Sequence, residues 1–267
     1  MRLYTFCTPS HEILLNQWLI RSLKDDYELH IERYAQKSLP ADYMSDGWID
    51  TMLDKVEVII RAIRENEGKI FIHSDADVQF FGRTQGVILK AIDRLDMVIQ
   101  RDTIMGSVCA GFFAARGNEK NLLLWQNIRE GLLKQKEKND QDLLNDALLY
   151  RDRYTSKKAR GMAHACKHLL HACNDALLRK CPVSINMNWH ANAFKIKWAY
   201  LPMSFFSPGV VVRRFWQSGE SFYVPEDIVI HHANWTVGIE NKMAQLKYVK
   251  DIVDERRSAC VKNSQDQ

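Results

Sequence analysis

No run of about 18 apolar residues, the length that crosses a bilayer as a helix, occurs anywhere in this chain of 267 residues. Its start, RLYTFC after Met1, also lacks the charged and then long apolar stretch of a secretory leader. These two absences predict a soluble, cytoplasmic protein with no membrane anchor. Charge of one sign is lacking too. The 37 Lys and Arg stand against 33 Asp and Glu, a balance of +4 that is too even to argue for nucleic acid and that suits a local anion site. Cysteine is sparse: Cys7, Cys109, Cys166, Cys173, Cys181 and Cys260 are scattered over a chain far larger than disulfide-stapled domains, and reduced thiols are expected. Internal repeats, low-complexity tracts and linkers are missing, so a single domain is the simplest organisation, and a hydrophobic fraction of 46% supplies its core.

What is present is alternation. Residues 3–7 read as a strand. SHEILLNQWLIRSL (residues 10–23) opens on Ser10 as a candidate N-cap and sets Ile13, Leu14, Trp18, Leu19 and Leu23 at helical spacing. YELHIERY (27–34) alternates like a second strand. Over residues 48–65, Ile49, Met52, Leu53, Val56, Ile59, Ile60 and Ile63 keep a helix period, and Gly68 can stop that helix. A strand over residues 70–72, another ending near Gln100, a third over CAGFFAARG (109–117) and an amphipathic helix over 119–135 follow. This order predicts an α/β, Rossmann-like fold with a mixed, mostly parallel sheet flanked by helices. Further on, residues 156–181 read as a basic helix, while KIKWAYLP, GVVVRRFW and DIVIHHANW are strand candidates. The last residues, SACVKNSQDQ, read as a frayed tail.

One strand, in KIFIHSDADVQFFG (residues 69–82), runs from Ile70, Phe71 and Ile72 straight into Asp75 and Asp77. The acids fall at its carboxyl end, where open α/β sheets bind ligands. Two oxygen ligands one residue apart can turn toward one hard cation, Mg²⁺ or Mn²⁺, of the kind that shares its site with substrate phosphates. The bland alternative is an ordinary turn after the strand. His231 and His232 end another apolar strand; neighbours on a strand point opposite ways, so at most one faces such a cation, and both also read as ordinary strand-end histidines. Asp140, Gln141 and Asp142 open a leucine-rich helix in KNDQDLLNDALL (138–149). They are either caps, Asp140 above all, or the rim of a pocket that touches a sugar hydroxyl or anomeric carbon.

Taken in order, LYTFCTPSH, IFIHSDADVQFFG, MVIQRDT followed by CAGFFAARGN, NDQDLLNDAL, WAYLPMSFFSPG and VIHHANWTVGIENKMAQL resemble the retaining GT-A-type nucleotide-diphospho-sugar transferases. The likeness is to the plant cell-wall arabinosyl-, xylosyl- and galactosyltransferases and, more distantly, to the glycogenin-like enzymes; residues 155–192 match no segment of it. The resemblance implies a GT-A domain over 1–255, with a nucleotide-binding half (1–117), an acceptor and donor-sugar half (118–255) and a tail (256–267). It implies Thr5, Cys7 and Thr8 against uracil and ribose, Asp75 on ribose and metal, Asp77 as the main metal carboxylate and His232 as the third ligand. Gly111 would let the chain approach the donor sugar, with Cys109 and Ala110 beside it, and Asp140 and Gln141 would lie near that sugar. Gly238 and Lys242 stand four apart where the glycogenin-like enzymes space them by three, and Lys242 is expected on the diphosphate or as a solvated lysine.

The expected function is metal-dependent transfer, with retention, from a UDP-sugar (xylose, galactose or arabinose) to a glycan or glycoprotein. Mn²⁺ or Mg²⁺ would stabilise the leaving diphosphate. Retention needs either an attacking group, with Asp140, Gln141 and Asp142 as the candidates, or an acceptor that enters on the leaving group's own face. Gln100 to Asp102 line the pocket or pair at the surface. Trp189, Trp198, Phe205, Phe206, Trp216 and Trp235 are core or sugar-stacking rings, with Trp235 singled out. Cys166, His168, His171 and Cys173 are spaced poorly for zinc. The rival readings are a haloacid-dehalogenase-type phosphohydrolase built on DADV and a nucleotide-sugar or glycan binder without turnover.

Overall fold

The computed structural model describes residues 1–37, 43, 45–135, 137–149 and 192–265. The basic segment 156–181, with its cysteines and histidines, and Trp189 lie outside them. Strands β1 (Arg2–Cys7), β2 (Glu28–Arg33), β3 (Ile70–Ser74), β5 (Met97–Arg101), β6 (Val108–Arg116) and β7 (Trp198–Tyr200) form a six-stranded sheet in the order β2-β1-β3-β6-β5-β7. Only β6 runs against the others. It follows β5 across the short 102–107 loop, too short for a crossover, so the pair must be antiparallel. The sheet is therefore mixed and mostly parallel, as expected of a GT-A-like fold.

Alternation along each strand sends side chains to two cores. Phe71, Met97, Ile99, Phe113 and Ala115 pack under α2 (Trp48–Glu65), α4 (Glu119–Lys134) and α5 (Asp140–Leu149). Ile72, Val98, Phe112 and Ala114 pack on the other face with Leu15, Leu19 and residues of α3 (Gln85–Ile92). The first helical segment departs from expectation. Its opening turn is a 3₁₀ turn, Pro9–His11, preceded by Thr8, so Ser10 lies inside the turn and is not its N-cap. Pro9 accounts for this, since its fixed φ suits a first helical position. α1 (Glu12–Leu14) then continues into a π-helical stretch, Leu15–Ile20.

A second, three-stranded sheet joins β4 (Val78–Phe80), β9 (Ile230–His232) and β8 (Phe205–Phe206), with β9 in the middle. GVVVRRFW is not a strand. It begins as a 3₁₀ turn, Pro208–Val210, in which Val211 N and Val212 N both donate to Pro208 O at 2.8 Å, so donors a strand would use are taken locally. The last helix, α6 (Ile239–Gln265), continues past residue 255 through most of the expected tail. Among the described residues no helix is long and apolar enough to cross a membrane.

Candidate active site

The chain leaves the large sheet at Ser74 and enters the small one at Val78, so Asp75 and Asp77 sit at the junction of the two. Register does the rest. Val78 pairs with His232, and Ala233 N donates to Asp77 O at 2.9 Å, which fixes His232 beside Asp77. On the other side Asp75 N donates to Gly111 O at 2.7 Å, tying the first acid to the middle of β6. Carboxylate oxygens of Asp75 and Asp77 and a ring nitrogen of His232 all lie within 4.8 Å of one another. Nε2 of His232 is 3.2 Å from Asp77 Oδ1 and 3.9 Å from Asp75 Oδ2. Adjacent His231 points the other way, against Phe206 and Phe222. Burial pushes its imidazole down to about 3, which leaves it neutral.

Two carboxylates and one imidazole converge here, Asp77 and His232 buried and Asp75 partly exposed; the hard oxygens suit Mg²⁺ or Mn²⁺, and the borderline imidazole nitrogen fits Mn²⁺ better of the two. Gly111 makes this convergence possible: a Cβ there would lie 2.1 Å from His232 Cε1 and 2.7 Å from Asp75 Oδ2. The close approach that Gly111 permits is thus by the site's own side chains.

Each acid is already held by a cation. Lys55 Nζ, on α2, lies 3.0 Å from Asp75 Oδ1 and 3.1 Å from Asp140 Oδ2, and all but 4% of Lys55 is buried. Burial alone would lower its ammonium, but Asp140 and Asp75 outweigh that and raise it. Asp75 also accepts from His73 Nε2 at 3.3 Å; burial would lift its carboxyl, yet Lys55 and His73 hold it well below the usual range. Asp77 pairs with Lys242, whose Nζ also donates to Ala233 O at 3.0 Å. Burial raises Asp77 as well, but Lys242 and His232 keep it ionised. For His232 itself, burial lowers the imidazole while Cys109 and Asp77 reverse this and raise it to about 10.

The Asp140 segment is arranged differently from expectation. Asn139 is the cap: its Oδ1 accepts from Asp142 N at 2.8 Å, and Asp142 Oδ2 accepts in return from Asn139 N at 3.3 Å, a reciprocal capping box. Asp140 is therefore free of capping and pairs with Lys55. Gln141 Oε1 accepts from Ala110 N at 3.1 Å, and Asn145 grips Val108 through both its oxygen and its nitrogen, at 2.9 and 3.0 Å. These bonds fasten the start of α5 to the strand that carries Gly111.

All of this opens on a cleft of about 820 Å³, of the size that takes small-molecule ligands. Cys7, Thr8, Asp75, Asp77, Gly111, Asp140, Gln141, Asp142, His232 and Lys242 line it; Thr5, buried in β1, and Gly238, at the start of α6, do not. Asp102 also lines it, not as a surface ion pair but buried, accepting from Trp235 Nε1 at 2.9 Å and Asn234 Nδ2 at 3.1 Å. Trp235 holds φ at 54°, a left-handed backbone costly for a bulky residue. Gly209 leaves room for it, since a Cβ there would be 2.1 Å from Trp235 Nε1. Of the other expected rings, Trp198, Phe205, Phe206 and Trp216 are core. Sequence reasoning missed Lys55, although a signal existed: it falls three residues after Met52 and four before Ile59, a charge on the apolar stripe of α2.

No curated protein matches the chain. The profile of the nucleotide-diphospho-sugar transferase family matches residues 17–246, a stretch that holds Asp75, Asp77, Asp140, His232 and Lys242. The chain belongs to the nucleotide-diphospho-sugar transferases, glycosyltransferases that draw their sugar from a nucleotide donor.

Proposed function

We propose that the protein is a Mn²⁺- or Mg²⁺-dependent retaining glycosyltransferase that moves a sugar from a UDP donor, with xylose, galactose and arabinose as candidates, to a glycan or glycoprotein. The observation that carries this reading is the convergence of Asp75, Asp77 and His232 within 4.8 Å on the wall of the large cleft in a chain of this family. A divalent cation held by these residues supplies stabilisation of the negative charge that develops on the departing diphosphate.

The chain's own residues carry the rest of the chemistry. Lys242, beside Asp77, offers a positive charge to the diphosphate, and Cys7, the last residue of β1, and Thr8 just after it line the same cleft, where the base and ribose are proposed to lie. Asp140 is paired with Lys55, Gln141 accepts from a backbone amide and Asp142 closes a capping box. None of the three is a free nucleophile, which favours an acceptor hydroxyl entering on the leaving group's face. Trp235, with Phe215 at 6.2 Å and Tyr43 and Trp48 continuing the row at mutual tilts of 51°, 60° and 67°, offers an aromatic surface to the C–H face of an acceptor sugar.

The test is calorimetric titration with UDP, with and without Mn²⁺, on the wild type and on Asp77→Ala. Metal-dependent binding that Asp77→Ala abolishes supports the reading; no UDP binding in either condition removes its foundation.

A further inference from the structure

We propose that Gln100 is a positioning residue that sets which nitrogen of His232 is presented to the divalent cation. The inference rests on the metal-site reading above.

Gln100 is fully buried near the end of β5, in a strand otherwise apolar up to that point. Its side-chain nitrogen lies 3.2 Å from Phe205 O and 2.9 Å from Phe206 O. Both partners are carbonyls, which only accept, so the NH₂ must occupy that side and the oxygen must face the other way. That oxygen, Oε1, is 3.2 Å from His232 Nδ1. An amide oxygen has no proton to give, so Nδ1 is the donor. In the neutral ring, the form that binds a metal, the lone pair then belongs to Nε2, the nitrogen that faces Asp77 and Asp75. The one other polar neighbour of Nδ1 among the described residues is Cys109 Sγ at 3.3 Å, whose thiol is weak both as donor and as acceptor beside an amide oxygen, and whose sulfur itself takes a bond from Asn234 Nδ2 at 3.5 Å.

A second observation points the same way. The pairing of β5 with β6 shifts register between Ile99 and Gln100. Such irregularities re-aim a side chain, and here the residue re-aimed is the one that crosses from the large sheet to the small one. Its amide reaches β8, which pairs with β9, and its oxygen reaches His232 at the end of β9. Partners of this kind hold the orientation and tautomer of a metal-bound imidazole, and their loss typically weakens metal binding about 10- to 100-fold.

The experiment is Mn²⁺ titration of the metal-stripped full chain, followed by the electron paramagnetic resonance signal of free Mn²⁺, on the wild type, Gln100→Met and Gln100→Glu. Met removes the acceptor and Glu keeps it. The expected result is a Kd for Mn²⁺ raised about 10- to 100-fold in Gln100→Met and largely restored in Gln100→Glu. If the wild type binds Mn²⁺ and Gln100→Met binds it equally well, this inference is overturned and the metal site stands. Equal weakening in both variants, with equal loss of Tm, assigns Gln100 to tying β5 to β8 and overturns it as well. A wild type that binds no Mn²⁺ overturns the metal-site reading and this inference with it. Should the variants not fold, ¹⁵N-histidine NMR of the wild type loaded with Mg²⁺ decides: a proton on Nδ1 of His232 supports the assignment, and a proton on Nε2 overturns it.

Discussion

Gly111 and His232 share one space: a Cβ on residue 111 would stand 2.1 Å from Cε1 of the imidazole. A glycine on a buried central strand is a poor choice for strand stability, and its presence here is explained by the ring that lies over it. Gly111→Ala is therefore expected to fold but to push His232 or Asp75 out of place. Calorimetry should show Mn²⁺ affinity down at least about 10-fold, with far-UV circular dichroism unchanged. Unaltered Mn²⁺ binding in that variant would show that the ring does not need this space.

Lys55 ties the partly exposed Asp75 to Asp140, and Lys55 and Asp140 are both buried. Removing the central charge leaves two carboxylates facing each other with nothing between them. Lys55→Met should lose about 3–5 kcal/mol of stability by urea titration, the usual cost of breaking a buried pair by deleting one partner. Asp140→Asn, which leaves Lys55 with Asp75, should cost less. A Lys55→Met chain as stable as the wild type would mean that the triad is solvated.

Trp235 combines a strained backbone, an anchored indole N–H and a place in the cleft wall. If its face receives the acceptor, Trp235→Ala should raise the acceptor KM and leave the metal-dependent Kd for UDP unchanged. Trp235→Phe should keep most of the acceptor affinity, because the ring persists without the bond to Asp102. A loss of UDP binding in Trp235→Ala would assign the ring to the donor side instead.

Away from the cleft, Asp25 Oδ2 accepts from Thr84 N at 2.6 Å, Gln85 N at 3.1 Å and Thr84 Oγ1 at 3.1 Å, and so caps α3 from a distance in sequence. Burial is the largest single influence and raises its carboxyl, but these donors together outweigh that and lower it. A carboxyl lowered on folding contributes stability that is full above its unfolded value, near about 4, and fades as pH falls through the folded value. Asp25→Ala should cost about 1 kcal/mol at pH 7, and thermal melts should show the gap to the wild type closing below about pH 4.

Much of the architecture was legible before any coordinates. The periods of two and near four residues are local properties, so the strands around Leu3, Phe71, Val98 and Phe113 and the helices over 48–65 and 119–135 stand where alternation put them. The same local rule explains why only one of His231 and His232 faces the acids. Errors arose where short-range hydrogen bonds competed with pattern: Pro9 displaced Ser10 from the cap, the Pro208 turn took the donors of GVVVRRFW, and Asn139 took the cap from Asp140.

The sequence by itself determined that two acids end an apolar strand, that a histidine pair ends another, and that an acid and amide cluster opens a helix. Only the tertiary structure decided that these meet, because Asp77 and His232 are brought together by the pairing of β4 with β9, and Asp75 and Asp140 by a lysine from α2. The tautomer imposed by Gln100 and the space left by Gly111 belong to the same class. Periodicity reports which face a side chain takes, whereas a charge pair or a shared volume depends on which distant face lies opposite, and that is a property of topology and register alone.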